Sequence, residues 1–388
     1  MPDSLALAWL MLPLGAALGW YLARRWPQPQ EQAGATSEYL TGLAHLVNQD
    51  PDQAIAAFVK AIEVDDETVE LHLTLGNLFR KRGEVDRALR IHENLLARPG
   101  LKPMYQNQAR FELAQDYHKA GLMDRAESLF KELVAQGMFL QPSLEHLMGL
   151  YEQSRDWVHA IETTRQLEAV KSINLRPLIA QYCCERAEDA RRRQEHSETL
   201  RLASRAVSEH AECVRASLLV GAAHESIGDP AAAIKAYQRV PEQDPRFIGE
   251  VLEPLQRCYQ ALEDEAGYDR FLREAEELWP HPALVFARAR RMRAQGADPT
   301  AYLVERLQQQ PQWPALDLLL EIVAGQVSAS APLIDGLRGA LRKVMEKRPR
   351  YQCQHCGFQP GLLFWQCPSC KQWGSVSPLQ ELSAPAAR

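Results

Sequence analysis

A chain of 388 residues is too long for one core of ordinary domain size, so length alone predicts several modules or a repeat array. Charged residues make up 24% and apolar residues 46%, the balance of a folded protein and not of a disordered one. A net charge of −6 argues against a nucleic-acid footprint spread over the molecule, and the near absence of alternating apolar runs before residue 350 predicts a helical body.

Ser4 to Ala23 carry no charge (SLALAWLMLPLGAALGWYLA). Twenty helical residues reach about 30 Å, the thickness of a bilayer's hydrocarbon core. Trp20, Tyr21 and Trp26 stand at one end, where amphipathic rings favour the interface, and Arg24 and Arg25 follow at once. The segment 4–23 therefore reads as a transmembrane helix with its amino terminus outside and the body of the chain in the cytoplasm. A cleaved signal peptide would carry its basic residues on the other flank. Gly15 and Gly19 form a GxxxG pair through which a second transmembrane helix could pack, although small residues are common in such spans. Residues 24–36, with the run PQPQEQAGAT, read as a linker.

From residue 37 to about 325 small and large apolar residues recur in helical register at a period near 34. Gly42, Ala54, Phe58 and Ala61 open the series. Leu75, Gly76, Phe79, Ala88 and Leu95 follow, then Leu113, Ala114, Tyr117, Ala126 and Phe130. Further on come Leu147, Tyr151 and Ala160; a weaker unit over Ala187, Ala203 and Ala206; and a clear one at Val220, Gly221, Ala233, Tyr237 and Pro245. Tyr259, Leu272, Ala275 and Pro280 mark a seventh unit, and a degenerate eighth over 284–311 suits a cap. Small residues let paired helices close up while Phe, Tyr and Leu fill the space to the next pair. This pattern resembles the tetratricopeptide repeat, and the resemblance implies a groove that binds proteins or peptides. By that register Asn77, Arg80, Lys81, Gln115, His118 and Lys119 face the groove, where they suit an acidic peptide or a carboxylate. The plainer reading is a solvated charged face.

Cys183, Cys184, Cys213 and Cys258 have no partner at ligand spacing and read as small buried side chains. The histidines are singletons, and no phosphate-binding loop, dinucleotide fingerprint or nucleophile elbow is present, so an enzyme is not expected. Residues 326–349 read as a linker followed by a basic helix over Leu333–Lys347. Its cations suit either its own dipole or an anionic lipid or acidic partner. Beyond it, in 350–378, stand Cys353-x2-Cys356 and Cys367-x2-Cys370, ten residues apart. Each pair presents two thiolates on one tight turn, and two facing turns complete a tetrahedral four-sulfur site. Gly357 fits the bend that follows such a knuckle, and Leu362–Trp365 (LLFW) reads as a strand between the knuckles. The knuckles resemble those of rubredoxin, which implies one iron ion, although zinc satisfies the same geometry. Lys371 stands where rubredoxin-like knuckles often carry a second glycine.

Taken in order, the parts resemble the lipopolysaccharide assembly protein B family, most specifically over Cys353 to Trp373. The resemblance implies an all-α tetratricopeptide-repeat superhelix with an N-terminal transmembrane helix and a small C-terminal rubredoxin-like module. It also implies a single-pass inner-membrane protein that acts as a regulatory adaptor of lipopolysaccharide synthesis. The implied protein partners are the membrane protease FtsH and the lipid A pathway deacetylase LpxC, with a membrane partner for the span. Metal ligation carries over to Cys353, Cys356, Cys367 and Cys370, and no catalytic residue carries over. Two other functions fit the same residues: electron transfer through a rubredoxin-type iron, and nucleic-acid binding through a zinc ribbon, which the acidic chain disfavours. Whether the chain is a homo-oligomer stays open.

Overall fold

The computed structural model describes residues 66–327, 331–346 and 348–379, with isolated helical positions at 21, 41, 42, 44, 45, 53 and 57. The expected span 4–23 with Gly15 and Gly19, the linker 24–36 and the first repeat lie outside the described residues apart from those positions. Among the described residues no helix is long and apolar enough to cross a membrane.

The described body is a succession of helical hairpins. In order they are α1 (Asp66–Arg82) with α2 (Val85–Leu96), α3 (Pro103–Lys119) with α4 (Met123–Ala135), and α5 (Leu140–Ser154) with α6 (Trp157–Lys171). Then follow α7 (Arg176–Arg192) with α8 (His196–Glu209), α9 (Val214–Ile227) with α10 (Pro230–Gln243), and α11 (Ile248–Ala261) with α12 (Glu265–Leu278). The last two are α13 (Pro282–Ala294) with α14 (Thr300–Gln309), and α15 (Trp313–Gln326) with α16 (Ala331–Glu346). The array therefore continues past residue 325. The basic helix expected there is α16, and it packs along α15, with Arg338 donating to Asp317 and Glu321 (3.2 and 2.7 Å) and Arg342 to Asp317 (3.0 Å).

The turns show why the sequence breaks where it does. From the first hairpin to the seventh, one residue between the two helices sits in the left-handed region. Gly83, Gly121, Gly228 and Gly296 fill that place in four hairpins, and Arg155, Gln194 and Glu263 do so in three, with φ of 57°, 60° and 55°. In three of these turns the next residue is an aspartate that caps the second helix: Asp156 accepts from the His159 amide, Asp229 from Ala232 and Asp264 from Gly267.

The chain divides into two compact units at Leu150 and Tyr151. In the first, Val69, Leu73, Leu95, Leu101, Tyr105 and Ala109 form a core cluster. Gly76 leaves room for the buried His92 ring, whose Nε2 would lie 2.4 Å from a Cβ built at that glycine. In the second unit the same offset of sixteen residues places Gly221 under Tyr237, again at 2.4 Å from a built Cβ. The small residue on the first helix thus answers one large ring on the second, which is the packing rule expected from the sequence. The second unit's main cluster runs from Val214 and Tyr237 through Phe247, Leu255 and Phe271 to Leu284. Cys183, Cys184, Cys213 and Cys258 are all buried.

After α16 the chain forms a small module. Strands β1 (Tyr351–Cys353) and β2 (Val376–Pro378) pair antiparallel, Cys353 opposite Val376, and Gln366 bridges Trp373. The LLFW run is not a strand: no described strand lies beside it. Its side chains nevertheless alternate, Leu363 and Trp365 turning to the helical array and Leu362 and Phe364 to solvent.

Candidate metal centre and its dock

The four sulfurs of Cys353, Cys356, Cys367 and Cys370 lie within 4.8 Å of one another. Cys353 and Cys370 are 3.8 Å apart and Cys356 and Cys367 are 3.7 Å apart. A tetrahedron with metal–sulfur bonds of about 2.3 Å requires sulfur–sulfur edges of about 3.8 Å, which these two edges match, so the residues fit one ion. Each knuckle closes by a backbone bond, Gly357 N to Cys353 O and Lys371 N to Cys367 O, both 2.9 Å. Gly357 has φ of 77°, as the bend after a knuckle asks, and Lys371 takes the equivalent place in the second knuckle with φ of 60°.

The electrostatics suit a cation. A hydrogen bond with Ser375 (3.2 Å), helped by the amides of Cys356 and His355, draws the Cys353 thiol down to about 6 against desolvation. The Gln372 amide pulls Cys370 the same way, but desolvation and the sulfurs of Cys356, Cys367 and Cys353 outweigh it and push that thiol up to about 12. Cys370 thus keeps a proton that a bound metal displaces. His355 is exposed within its knuckle.

The module does not hang free of the second unit. Trp373 donates from Nε1 to Glu152 Oε1 (2.9 Å) and sets its edge against Trp157 and Tyr182, with centroids 6.0 and 5.9 Å away. Glu152 also accepts from the Tyr182 hydroxyl, so one carboxylate joins α5, α7 and the module. Trp365 stacks on Phe247 at 5.8 Å, and the Arg215 guanidinium lies over the Trp365 ring, also at 5.8 Å. Arg215 is fixed in turn by Glu185 (2.7 Å). Tyr351 donates to Glu250 (2.7 Å) and Arg246 to Ser377 (3.0 Å). Sequence reasoning expected the metal ligands but did not identify the residues of these clamps. The signal that could have found them is two tryptophans within one small module, more indole than its own core can cover.

The six residues placed in the groove by register lie together in the first unit, three of them in one polar network. Arg80 donates to Glu112 (2.6 Å), Asp116 (2.8 Å) and Asn77 (2.8 Å), and Gln115 donates to Glu112 (3.2 Å). Asp116 is fully buried and meets His92 Nδ1 at 2.5 Å. His118 is half-buried near His146, with ring centroids 6.2 Å apart, and Lys81 and Lys119 are exposed. Arg80 therefore ties α1 to α3, whatever else it meets.

Helical hairpins in series, with a four-cysteine module clamped on them, define a tetratricopeptide-repeat protein with a rubredoxin-type metal domain. Residues 351–378 match the rubredoxin metal binding domain, and residues 39–100, 73–140 and 184–246 match the tetratricopeptide repeat. Lipopolysaccharide assembly protein B of Escherichia coli strain K12 is 33% identical, over 97% of this chain and 99% of its own length. The protein of that name from Haemophilus influenzae is 31% identical, over 96% of this chain and 98% of its own. The chain belongs to the lipopolysaccharide assembly protein B family. Among solved structures, a tetratricopeptide repeat protein from Parabacteroides merdae is similar over 63% of this chain and 92% of that chain, at 15% identity and a TM-score of 0.30.

Proposed function

We propose that the chain is a non-enzymatic adaptor of lipopolysaccharide synthesis, held at the inner membrane by residues 4–23 with its body on the cytoplasmic side. In this reading the array docks the lipid A deacetylase LpxC and presents it to the membrane protease FtsH, and the span recruits a membrane partner. The observation that carries the reading is the clamp of the metal module on the array by Trp365 and Trp373, in a chain of this family. A module so fixed serves to shape a docking surface. The anchor adds effective concentration by confining both partners to one plane. Bound metal supplies the cross-link that folds a module of about thirty residues, too small to hold a core unaided. We assign iron to the centre, as the rubredoxin-like knuckles imply. Elemental analysis of the chain purified from its own host should give iron, and zinc in its place would overturn that part.

The test of function is Cys367→Ser in the chromosomal copy. It should empty the centre and raise the deacetylase level, while the variant stays at normal abundance in the membrane fraction. Unchanged deacetylase turnover in a variant shown to be metal-free would remove the metal module from the mechanism.

A further inference from the structure

Where α8 hands over to α9, two cysteines meet beneath a short turn. Cys213 is the N-cap residue of α9 and Cys184 projects from α7; both are buried. Cys213 Sγ accepts from the Cys184 thiol, from Gln181 Nε2 at 3.7 Å, and from the backbone amides of Ala216 and Arg215. These bonds, the one from Cys184 first, hold Cys213 below the ordinary thiol range against desolvation, whereas burial pushes Cys184 up. Cys213 is thus the nucleophile of the pair and Cys184 its proton-bearing partner. Cys183 does not compete. Successive helical residues point about 100° apart, and its charged neighbours include Arg205 and Glu209 of α8. The pair also lies under the dock of the metal module. Gln181 Oε1 accepts from the Arg215 guanidinium at 3.4 Å, and a Cβ built at Gly374 would stand 3.8 Å from Gln181 Nε2. Arg215, two residues beyond Cys213, lies over the Trp365 ring. The groups that hold the nucleophilic sulfur are therefore the groups that meet the module.

We propose that Cys184 and Cys213 form a peroxide-sensitive dithiol whose disulfide loosens the dock of the metal module. The Cys213 thiolate attacks one oxygen of hydrogen peroxide. The O–O bond breaks, and the departing hydroxide takes up the proton that Cys213 released and leaves as water. The Cys184 sulfur then attacks the sulfenic sulfur of Cys213: the S–S bond forms, the S–O bond breaks, and hydroxide leaves with the Cys184 proton as a second water. Two thiols and one peroxide become one disulfide and two waters. Ala211 and Glu212, directly before Cys213, are exposed, and local opening of such a turn admits a molecule little larger than water. Bonding draws the start of α9 toward α7 and takes the negative charge from Cys213. Gln181 and Arg215 then lose the partner that places them under the module. The inference is independent of the adaptor reading.

The test treats the full metal-loaded chain in detergent with a small excess of hydrogen peroxide, quenches with catalase, and alkylates after unfolding. Trypsin should then release fragment 172–186 joined to fragment 206–215, with Cys258 alkylated, and dithiothreitol should separate the two. Cys183→Ala should keep the joined fragments, and Cys184→Ala should abolish them. The oxidised chain should lose metal to a chelator about 3- to 10-fold faster than the reduced chain, the size of one lost cation–π contact. Cys213→Ala should lose metal at one rate with and without peroxide, which separates the dithiol from oxidation of the four ligating sulfurs. A product joining Cys183 to Cys184, or no joined fragments at all, would overturn the disulfide. Joined fragments with metal release unchanged would overturn its link to the dock.

Discussion

At the scale of single residues the centre is a matter of backbone sign. Both knuckles turn through a positive φ, at Gly357 and at Lys371. A side chain in the left-handed region costs about 1–2 kcal/mol, and glycine returns about half of that gain as unfolded-state entropy. Lys371→Gly should therefore stabilise the module by about 0.5–1 kcal/mol and slow metal loss to a chelator, and Lys371→Val should hasten it. Equal rates for all three would mean that φ at this position does not limit the fold. Gly221 shows the opposite need, for space. A Cβ there would meet the Tyr237 ring at 2.4 Å, so Gly221→Ala should cost about 1–3 kcal/mol in a melt of the array. Gly221 and Gly357 were legible because their spacing is a motif. Arg155, Gln194 and Glu263 were not, since nothing in a non-glycine residue announces a left-handed turn.

Whole elements depend on caps and neighbours that spacing alone does not reveal. His281 is the N-cap of α13: its Nδ1 accepts the Ala283 amide at 3.1 Å, and burial holds its pKa below the ordinary value. The acceptor is the neutral ring's lone pair, so protonation removes the cap and charges a half-buried group. The folded form binds this proton less readily than the unfolded chain, so stability is full above about pH 6.5 and falls as pH drops below that value. His281→Asn keeps an acceptor without a titration, and it should flatten the pH dependence of melting between pH 7 and 5. His281→Ala should lose about 1 kcal/mol at pH 7, and that deficit should shrink toward pH 5 as the wild-type ring takes up its proton. An unaltered pH profile in the asparagine variant would clear His281 of this role. The misreadings of elements have one cause. The LLFW run has the side-chain alternation of a strand but no strand beside it, and alternation cannot report a missing neighbour. α16 has the basic residues of a free helix, yet the acids that pair with Arg338 and Arg342 lie on α15, too far back in the chain for a local pattern to join.

Over the whole molecule the argument concerns coupling between the metal and the helices. Repeats and knuckles could be read in order because each is local, a 34-residue period and two CxxC turns. The residues of their contact could not be read, because Trp373 meets Glu152 across 221 residues and Tyr351 meets Glu250 across 101. That contact has a thermodynamic consequence. If metal binding folds the module, and the folded module docks through Trp365 and Trp373, then docking must favour metal by the same free energy with which metal favours docking. Trp373→Ala removes the indole that packs against the stacked Trp157 and Tyr182 rings and leaves Glu152 with one donor fewer. A loss of roughly 1–2 kcal/mol is expected, which is about 5- to 30-fold faster release of metal to a chelator although none of the four sulfurs has been touched. The reverse measurement is the melt of the full chain with and without metal. Stripping the metal should leave the helical signal intact at low temperature, because the hairpins carry their own core, and should lower the midpoint of the second unit's transition. Metal release that ignores Trp373→Ala, together with a melt that ignores the metal, would show the module and the array to be uncoupled, and the clamp would then be contact without consequence.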